Sequence, residues 1–582
     1  MSKHNSTLVL YSGKETTLFL NEKPIVKRIL PLTPNAHAPL VDKNLKLIDS
    51  YRYYTDYSHM KARARTRKME RSFIDELDRQ PQLSSASKEY IRHYVHIFSN
   101  QLLRIYYSIK DVGPWVVRNE NNWIYTNELN EAYLYTAKNC FYDTKFMNFK
   151  TGGMSYFINY INKKILIALI QKKTPLFVND FGYGMNNLAD IYTRKNPDSI
   201  IVGFKPMGSI LVEIITILKN LLTNFTNNKK ILIALAPKIH PNKEPLIKDL
   251  LFSISDKTIK DGMRIFFDKI IEHALYTDSS SSVLQEIMSL TKPKFILLYQ
   301  FKVGMAPVLA EEGKKFGSRV IALTHGSHTH QNDTCSLEGH KELGRGLIIG
   351  PFITDTVVQS PVAEQFVKNN YNSINRLKYK PIMWGYKKKN NLQKGDIRRI
   401  LYSNTFHSKR PWIFETSDEF VKGVIGLIQS TALVPNTKLT IRFRPMPECS
   451  LESFKKLLPK AHHYEINTEG IFLEDLAKTD LLVSYSSTTI EEALNARCPV
   501  LLWGGSMRYH HLTPSMFHPT IEERHAVYAP RDINDLGSMI SAILDVHKGR
   551  PLTNDEIKDY VWPEDTPGID DFVDYIARLQ IK

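Results

Sequence analysis

The sequence predicts an α/β chain built on two doubly wound parallel sheets, preceded by a largely helical N-terminal region. Three observations predict it. From residue 174 onward, apolar runs of strand length recur between helical patterns: TPLFVND, Ile200–Phe204, Lys230–Leu235, Phe295–Tyr299 and Arg319–Leu323. The same alternation resumes at TDTVVQSPVAEQFVKNN and continues through Arg399–Asn404, Lys438–Phe443, Leu481–Val483 and Pro499–Trp503. The chain also has 582 residues, too many for one hydrophobic core. Most of these strands are apolar on both faces, as in parallel sheets covered by helices, and such sheets hold ligands at the carboxyl ends of their strands.

Taken in order, Leu8–Tyr11 and Thr17–Leu20 read as strands. Residues 58–110 read as helical, with Tyr90, Ile91, Tyr94, Ile97, Phe98, Leu102 and Ile105 at helical spacing. Gly113 to Thr144 is rich in Trp, Tyr and Asn; it reads as an aromatic, partly helical segment that either packs a core or lines a polar cleft. Gly208–Leu222 and Met305–Phe316 are the clearest helices of the first alternating block. The expected organisation is 1–150 as an N-terminal region with a helical and aromatic insertion, part of the first domain. A first α/β domain follows over 151–345, a second over 346–545, and a tail over 546–582 that packs back on the first.

Composition narrows the class. A hydrophobic fraction of 42% and a charged fraction of 24% are those of a soluble globular protein. No stretch approaches the ~18 uninterrupted apolar residues of a membrane span. The opening MSKHNSTLVLYSG is too weakly apolar for a secretory signal. Cys140, Cys335, Cys449 and Cys498 lack metal-ligand spacing and read as reduced thiols of a cytoplasmic protein. The net charge of +17 is densest at Met60–Arg71. Lys61, Arg63, Arg65, Arg67 and Lys68 would suit the inner face of an anionic membrane, helped by Lys387, Lys388 and Lys389, unless the run is simply a solvated helix face. No zinc-finger spacing, aromatic RNA-binding strand or helix-turn-helix accompanies the charge, so no nucleic-acid partner is expected.

Chemistry-bearing residues collect at strand ends. TPLFVND ends in Asp180 and enters FGYG, where Gly182 and Gly184 permit close backbone approach. Asp180 is the candidate general base; capping the turn is its plain alternative. RVIALTHGSHTHQND places His325, His328 and His330 on one loop. Their spacing does not specify tetrahedral ligation, so no metal is expected, and His325 is the candidate for contact with a phosphate or leaving group. In the C-terminal half, Ser403, Asn404 and Thr405 leave one strand, and Arg444 and Pro445 another, with a guanidinium able to clamp phosphate. Ser486, Ser487, Thr488 and Thr489 stand where a helix begins, so hydroxyls and free N–H groups converge on an anion, or merely cap the helix. Glu491 follows in the first turn, placed to accept from ribose hydroxyls.

The stretch DLLVSYSSTTIEEALNARCPVLLWGG, Asp480 to Gly505, resembles the nucleotide-binding half of GT-B glycosyltransferases. A strand ending in His-Gly, here His325–Gly326, is similar to several GT-B families that build capsules, teichoic acids and lipid-linked glycans. Bacterial sialyltransferases and their relatives carry His-Pro where this chain has Arg444–Pro445, a departure at a donor-binding position. The resemblance covers roughly residues 290 to 520. It implies two Rossmann-like domains facing a cleft (GT-B), with an N-terminal helical insertion. It further implies a cytoplasmic glycosyltransferase of bacterial surface-polysaccharide synthesis, capsule or lipopolysaccharide, that uses a CMP-activated acidic sugar such as Kdo or a nonulosonate. The donor would lie on the C-terminal domain, the glycan or lipid-linked acceptor would enter from the N-terminal side, and no cofactor or metal is called for. A CDP-glycerol-type transferase, a UDP-sugar transferase and a sugar-nucleotide epimerase are the rival enzymes. A noncatalytic polyanion-binding protein is the rival of a different class.

Overall fold

The computed structural model describes residues 5–119, 122–142, 153–170, 174–182, 184–206, 210–222, 229–235, 243–300, 302, 304–324, 326, 334–385, 396–406 and 413–581. Its strands form three sheets. The first joins β1 (Thr7–Leu10), β2 (Arg28–Pro31), β3 (Trp115–Asn119) and β4 (Asn122–Thr126) in the order β2-β1-β3-β4, antiparallel only between β3 and β4. The second contains β5 (Thr174–Val178), β6 (Ser199–Pro206), β7 (Lys230–Leu235), β8 (Phe295–Leu298), β9 (Arg319–Leu323), β10 (Asp355–Val358) and β11 (Asn375–Lys378). The third contains β12 (Arg398–Asn404), β13 (Thr437–Phe443), β14 (Tyr464–Asn467), β15 (Leu481–Ser484), β16 (Val500–Leu502) and β17 (Val527–Tyr528).

Strand order defines the topology. The third sheet runs β14-β13-β12-β15-β16-β17, wholly parallel, which is the Rossmann order 3-2-1-4-5-6. The second runs β11-β10-β9-β8-β5-β6-β7, the same order with one further parallel strand. Each sheet therefore reverses its winding at one place: between β5 and β8 in one, and between β12 and β15 in the other. Loops diverge above and below a parallel sheet at such a point and leave a crevice at the carboxyl ends.

Two sequence expectations are corrected. Thr17–Leu20 is not a strand but the middle of a helix, Gly13–Glu22. Ser12 accepts from the Glu15 N–H while the Glu15 carboxylate accepts from the Ser12 N–H, and this reciprocal cap outweighs the short apolar pattern. The stretch TDTVVQS does not open the second domain, because β10 and β11 pair onto β9 and complete the first. The change of sheet falls between Lys378 and Arg398, not at residue 346. Within residues 1–150, β1 to β4 form their own sheet, over a core that helices Asp56–Asp78 and Ser85–Ile109 share with Phe267 and Ile270 of the first Rossmann domain.

That N-terminal unit touches both others. Helix Ser85–Ile109 packs on Phe267–Thr291 and Ala306–Lys315 of the first Rossmann domain. On the other side, Asn35 donates its amide to the Pro447 carbonyl (2.8 Å) and accepts from the Ser450 N–H (2.8 Å), and Ser50 N–H donates to Asp418 (3.1 Å). At the C-terminus, Ile569–Ile581 lies against Met185–Lys195, burying Phe572, Val573 and Ile576 beside Leu188 and Tyr192. Cys140, Cys449 and Cys498 are buried free thiols. Among the described residues, no helix is long and apolar enough to cross a membrane.

Candidate functional site

Both winding reversals carry polar residues. In the first domain, β5 runs out through buried Asn179 into Asp180, while β8 runs out into Tyr299. Asn179 accepts from the Tyr299 N–H (3.2 Å), so its amide stitches the two strand ends together. Asp180 Oδ1 accepts two hydrogen bonds, from the Tyr299 hydroxyl (2.6 Å) and the Gly182 N–H (2.6 Å). Among the described residues, Asp180 Oδ2 receives the longer contact from Asn179, at 3.3 Å. The carboxylate is thus fixed in direction, with one oxygen saturated and the other lightly engaged.

The two glycines of the FGYG turn serve close internal approach. A Cβ on Gly182 would stand 2.6 Å from the Tyr299 hydroxyl, and one on Gly184 would overlap the Met383 backbone. Met383 belongs to the chain that leaves β11. Gln359 holds that chain, accepting from the Ile382 and Met383 N–H groups (2.6 and 2.9 Å) while donating to the Thr324 carbonyl at the end of β9. Sequence reasoning assigned these glycines to a ligand; their immediate neighbours are Tyr299 and Met383.

In the second domain, β12 ends in buried Ser403 and Asn404, and Thr405 follows half-buried. The Ser403 carbonyl accepts from Ser484 Oγ (2.7 Å), which ties β12 to β15 at the reversal. Asn404 donates to the Tyr402 hydroxyl (3.1 Å), and its carbonyl oxygen is buried with no partner among the described residues. Ser486 is buried; Ser487, Thr488 and Thr489 are half-buried on the way into helix Thr489–Asn495. Ser487 Oγ accepts from the Thr489 N–H (3.3 Å). Thr488 makes no side-chain cap, so the capping alternative holds for Ser487 alone. Arg444 and Pro445 are exposed beyond β13, two strand spacings, about 10 Å, from β15.

Glu491, the acid placed by sequence for a ribose, keeps its Oε2 buried with no partner among the described residues. It is buried, and its Oε1 pairs with His511 Nε2 (3.0 Å), whose Nδ1 meets the Tyr509 hydroxyl (3.0 Å). Tyr509 in turn stacks on His340 of the first domain, ring centres 5.7 Å apart. Glu492 is the partly exposed member of the pair. Burial first, and then the charge of Glu491, push its carboxyl up to about 8.

Sequence reasoning missed Tyr299, Glu415 and the Tyr509–His511 pair. Glu415 is fully buried under the loop that leaves β16, where its Oε1 accepts from the Gly505 N–H (2.6 Å). Its other oxygen has no partner among the described residues. Burial first, and then the charge of Glu419, push this carboxyl up to about 8. No motif flagged it, because only folding brings Phe414–Thr416 under Gly504–Gly505.

The two walls meet directly. Gly326, in the loop leaving β9, lies so close to the second domain that a Cβ on it would stand 3.1 Å from Thr488 Oγ1. With the His340–Tyr509 stack, this puts the β9 side of one sheet against the β15 side of the other. His325, His328 and His330 lie outside the described residues. Among the described residues, no group of three or more His, Cys, Asp or Glu is arranged to hold a metal ion.

The basic run Met60–Arg71 is divided, with Lys61, Lys68 and Arg71 exposed and its other arginines engaged with the fold. Arg63 is buried, Arg65 pairs with Asp256 (2.8 Å) and Arg67 with Glu338 (2.8 Å); of the five cations read as a membrane face, Lys61 and Lys68 are exposed. Charge periodicity could not show this, because the acids that pair with these arginines come from distant parts of the chain.

Strand order, with the β9 loop of one sheet set against the β15 side of the other, defines the class, a protein with two Rossmann-like domains facing a cleft in the GT-B manner. No protein-family model and no curated protein matches the chain. Among solved structures, the S. aureus MnaA–UDP co-structure is 12% identical with a TM-score of 0.39, covering 70% of this chain and 97% of that one. UDP-GlcNAc 2-epimerase from Neisseria meningitidis bound to UDP-GlcNAc is 11% identical (TM-score 0.38; 70% and 99% covered). Acinetobacter baumannii MurG is 10% identical (TM-score 0.36; 70% and 99% covered). At such TM-scores these likenesses carry no inference about activity, and the fold rests on strand order.

Proposed function

We propose that the chain is a glycosyltransferase that takes a sugar from a nucleotide-activated donor and passes it to a glycan acceptor. The observation that carries this is a pair of Rossmann-like reversal points, one lined by hydroxyls and amides and the other by a fixed carboxylate, in domains that touch where the β9 loop meets Thr488. The donor phosphates belong against Ser486 to Thr489 with Arg444 reaching in from β13, and the nucleoside against Ser403, Asn404 and Thr405. Of the two acids in the helix, the partly exposed Glu492 is the ribose acceptor in preference to the buried Glu491. On the opposite wall, Asp180 takes the acceptor proton through Oδ2, its lightly engaged oxygen, while Tyr299 holds Oδ1. Hydroxyls and the Arg444 guanidinium stabilise the departing phosphate, and closure of the domains keeps water from the donor.

The donor is a CMP-activated acidic sugar, and the acceptor a bacterial surface glycan, on the strength of the sequence resemblance alone. A transfer assay separates the rivals. Purified protein is given CMP-Kdo, CMP-nonulosonate, UDP-GlcNAc or CDP-glycerol, each with and without a capsule-type oligosaccharide acceptor. Acceptor-dependent release of CMP from a CMP-sugar is the expected result. Release from UDP-GlcNAc or CDP-glycerol alone moves the donor to that class, isomerisation without acceptor replaces the transferase by an epimerase, and inertness toward all of them contradicts the proposal.

A further inference from the structure

Helix Ile210–Leu222 packs on the first Rossmann sheet, and it carries apolar side chains on its outer side as well as its inner one. Three polar residues face inward beside the buried Ile217. Glu213 is buried and pairs with Lys205 (3.0 Å), Thr216 accepts from the same lysine (3.3 Å), and Asn220 donates to the Leu232 carbonyl of β7 (2.8 Å) and accepts from its N–H (3.2 Å). Val212, Ile215 and Leu218 point outward and are 49%, 45% and 54% exposed. At 100° per residue these three fall within an arc of about 120°, the side opposite Glu213 and Asn220. The outer side of a helix that covers a sheet is ordinarily polar, and clustered exposed aliphatics there mark an interaction surface.

Neighbouring helices extend the face. Gly153–Ile170 packs beside this helix and presents Tyr160, 59% exposed, with Lys164 Nζ 5.5 Å from its ring centre. Phe267–Thr291 packs beside Gly153–Ile170 in turn and adds exposed Leu290. Charge decides the occupant. The sequence of Gly153–Ile170 contains Lys163 and Lys164 and no acid, and that of Ile210–Leu222 contains Lys219 and a single acid, the buried Glu213. Glu286 on the third helix is neutralised by Lys163 (2.7 Å). Aliphatic side chains rimmed by lysines and an amphipathic tyrosine, with no exposed acid on the two outer helices, complement the interface of an anionic bilayer.

We infer that the outer face of helices Gly153–Ile170 and Ile210–Leu222 is where this protein lies on an anionic phospholipid membrane. Val212, Ile215 and Leu218 enter the headgroup boundary, and Lys164 and Lys219 stay at the phosphates. This assigns membrane contact to a surface remote in sequence from Met60–Arg71 and does not depend on which donor occupies the cleft.

The test is cosedimentation of the full chain with vesicles of phosphatidylcholine alone or mixed with phosphatidylglycerol. Wild type is expected to bind the mixed vesicles roughly tenfold or more tightly than the neutral ones and to be released by salt. Ile215→Glu with Leu218→Glu, and separately Lys164→Glu with Lys219→Glu, should each lower binding at least about tenfold. Both pairs are exposed, so unchanged melting temperatures and nucleotide responses are expected. Absence of wild-type binding, or variants that bind as wild type does, would overturn the inference. So would a wild-type dimer that Ile215→Glu with Leu218→Glu turns into monomers, since the face would then belong to a second copy of the chain.

Discussion

Asp180 and Tyr299 form the shortest chemical link across the first reversal, and the hydrogen bond between them sets what each substitution should do. Asp180→Asn keeps the shape but removes the proton acceptor. Transfer should fall by about a hundredfold or more while stabilisation by nucleotide is retained, as read by steady-state rates beside thermal melts. Unchanged turnover would reduce Asp180 to a turn-fixing residue. Glu415 gives a sign-definite pH effect. Its carboxyl is raised to about 8 in the folded chain against an ordinary value of 4.5, so between those values the native state holds a proton that the unfolded state has lost. That contribution to stability is fully present below about 4.5 and is lost as the pH rises through about 8. Glu492 acts in the same direction. Melting temperature should therefore decline from pH 5 to pH 9, and Glu415→Gln should flatten the decline. An identical slope in the variant would place the proton elsewhere.

At the scale of elements, what the sequence revealed and what it hid have separate causes. Strands such as LFV, FILL and LLVS were legible because a parallel strand covered on both faces must be apolar throughout, and their exits at Asp180, Ser403 and Ser486 came with them. Membership of a sheet was not legible. An apolar run does not say which neighbour it will pair with, so β10 was assigned to the second domain although its partner is β9. The helix over Thr17–Leu20 was readable in principle, since Ser12 and Glu15 have capping-box spacing. Tyr299, Glu415 and His511 were not, because each acquires its role from a partner brought close only by folding. Element packing also sets the fate of the FGYG turn. Gly184→Ala forces a methyl group into the Met383 backbone, which Gln359 pins in place. The expected loss is about 3 kcal/mol in denaturant unfolding; a loss under ~0.5 kcal/mol would mean that the crossover yields.

For the molecule as a whole, the N-terminal unit acts as a strap across the two Rossmann domains. Arg508, in the second domain, is ion-paired with Glu419 of its own domain and with Asp56 of the N-terminal unit (2.5 Å). Arg508→Ala leaves Glu419 without its cation in a nearly buried site and should destabilise the protein by about 3 kcal/mol. Asp56→Ala, at the exposed end of the same network, should cost under ~1 kcal/mol. The central claim is that the two reversals form one nucleotide-sugar cleft, with donor phosphate held where β15 gives way to Ser486–Thr489. Thermal unfolding in the presence of free nucleotides tests it most directly. A ligand held at a hundredfold its dissociation constant adds about 2.7 kcal/mol of stability. CMP should raise the melting temperature of the wild-type chain more than UMP, UDP or GDP does, and Ser487→Ala with Thr488→Val should abolish that rise, the unliganded melt falling only by the ~1 kcal/mol of a lost helix cap. A wild-type chain indifferent to every nucleotide, or a variant that responds as wild type does, would contradict the claim.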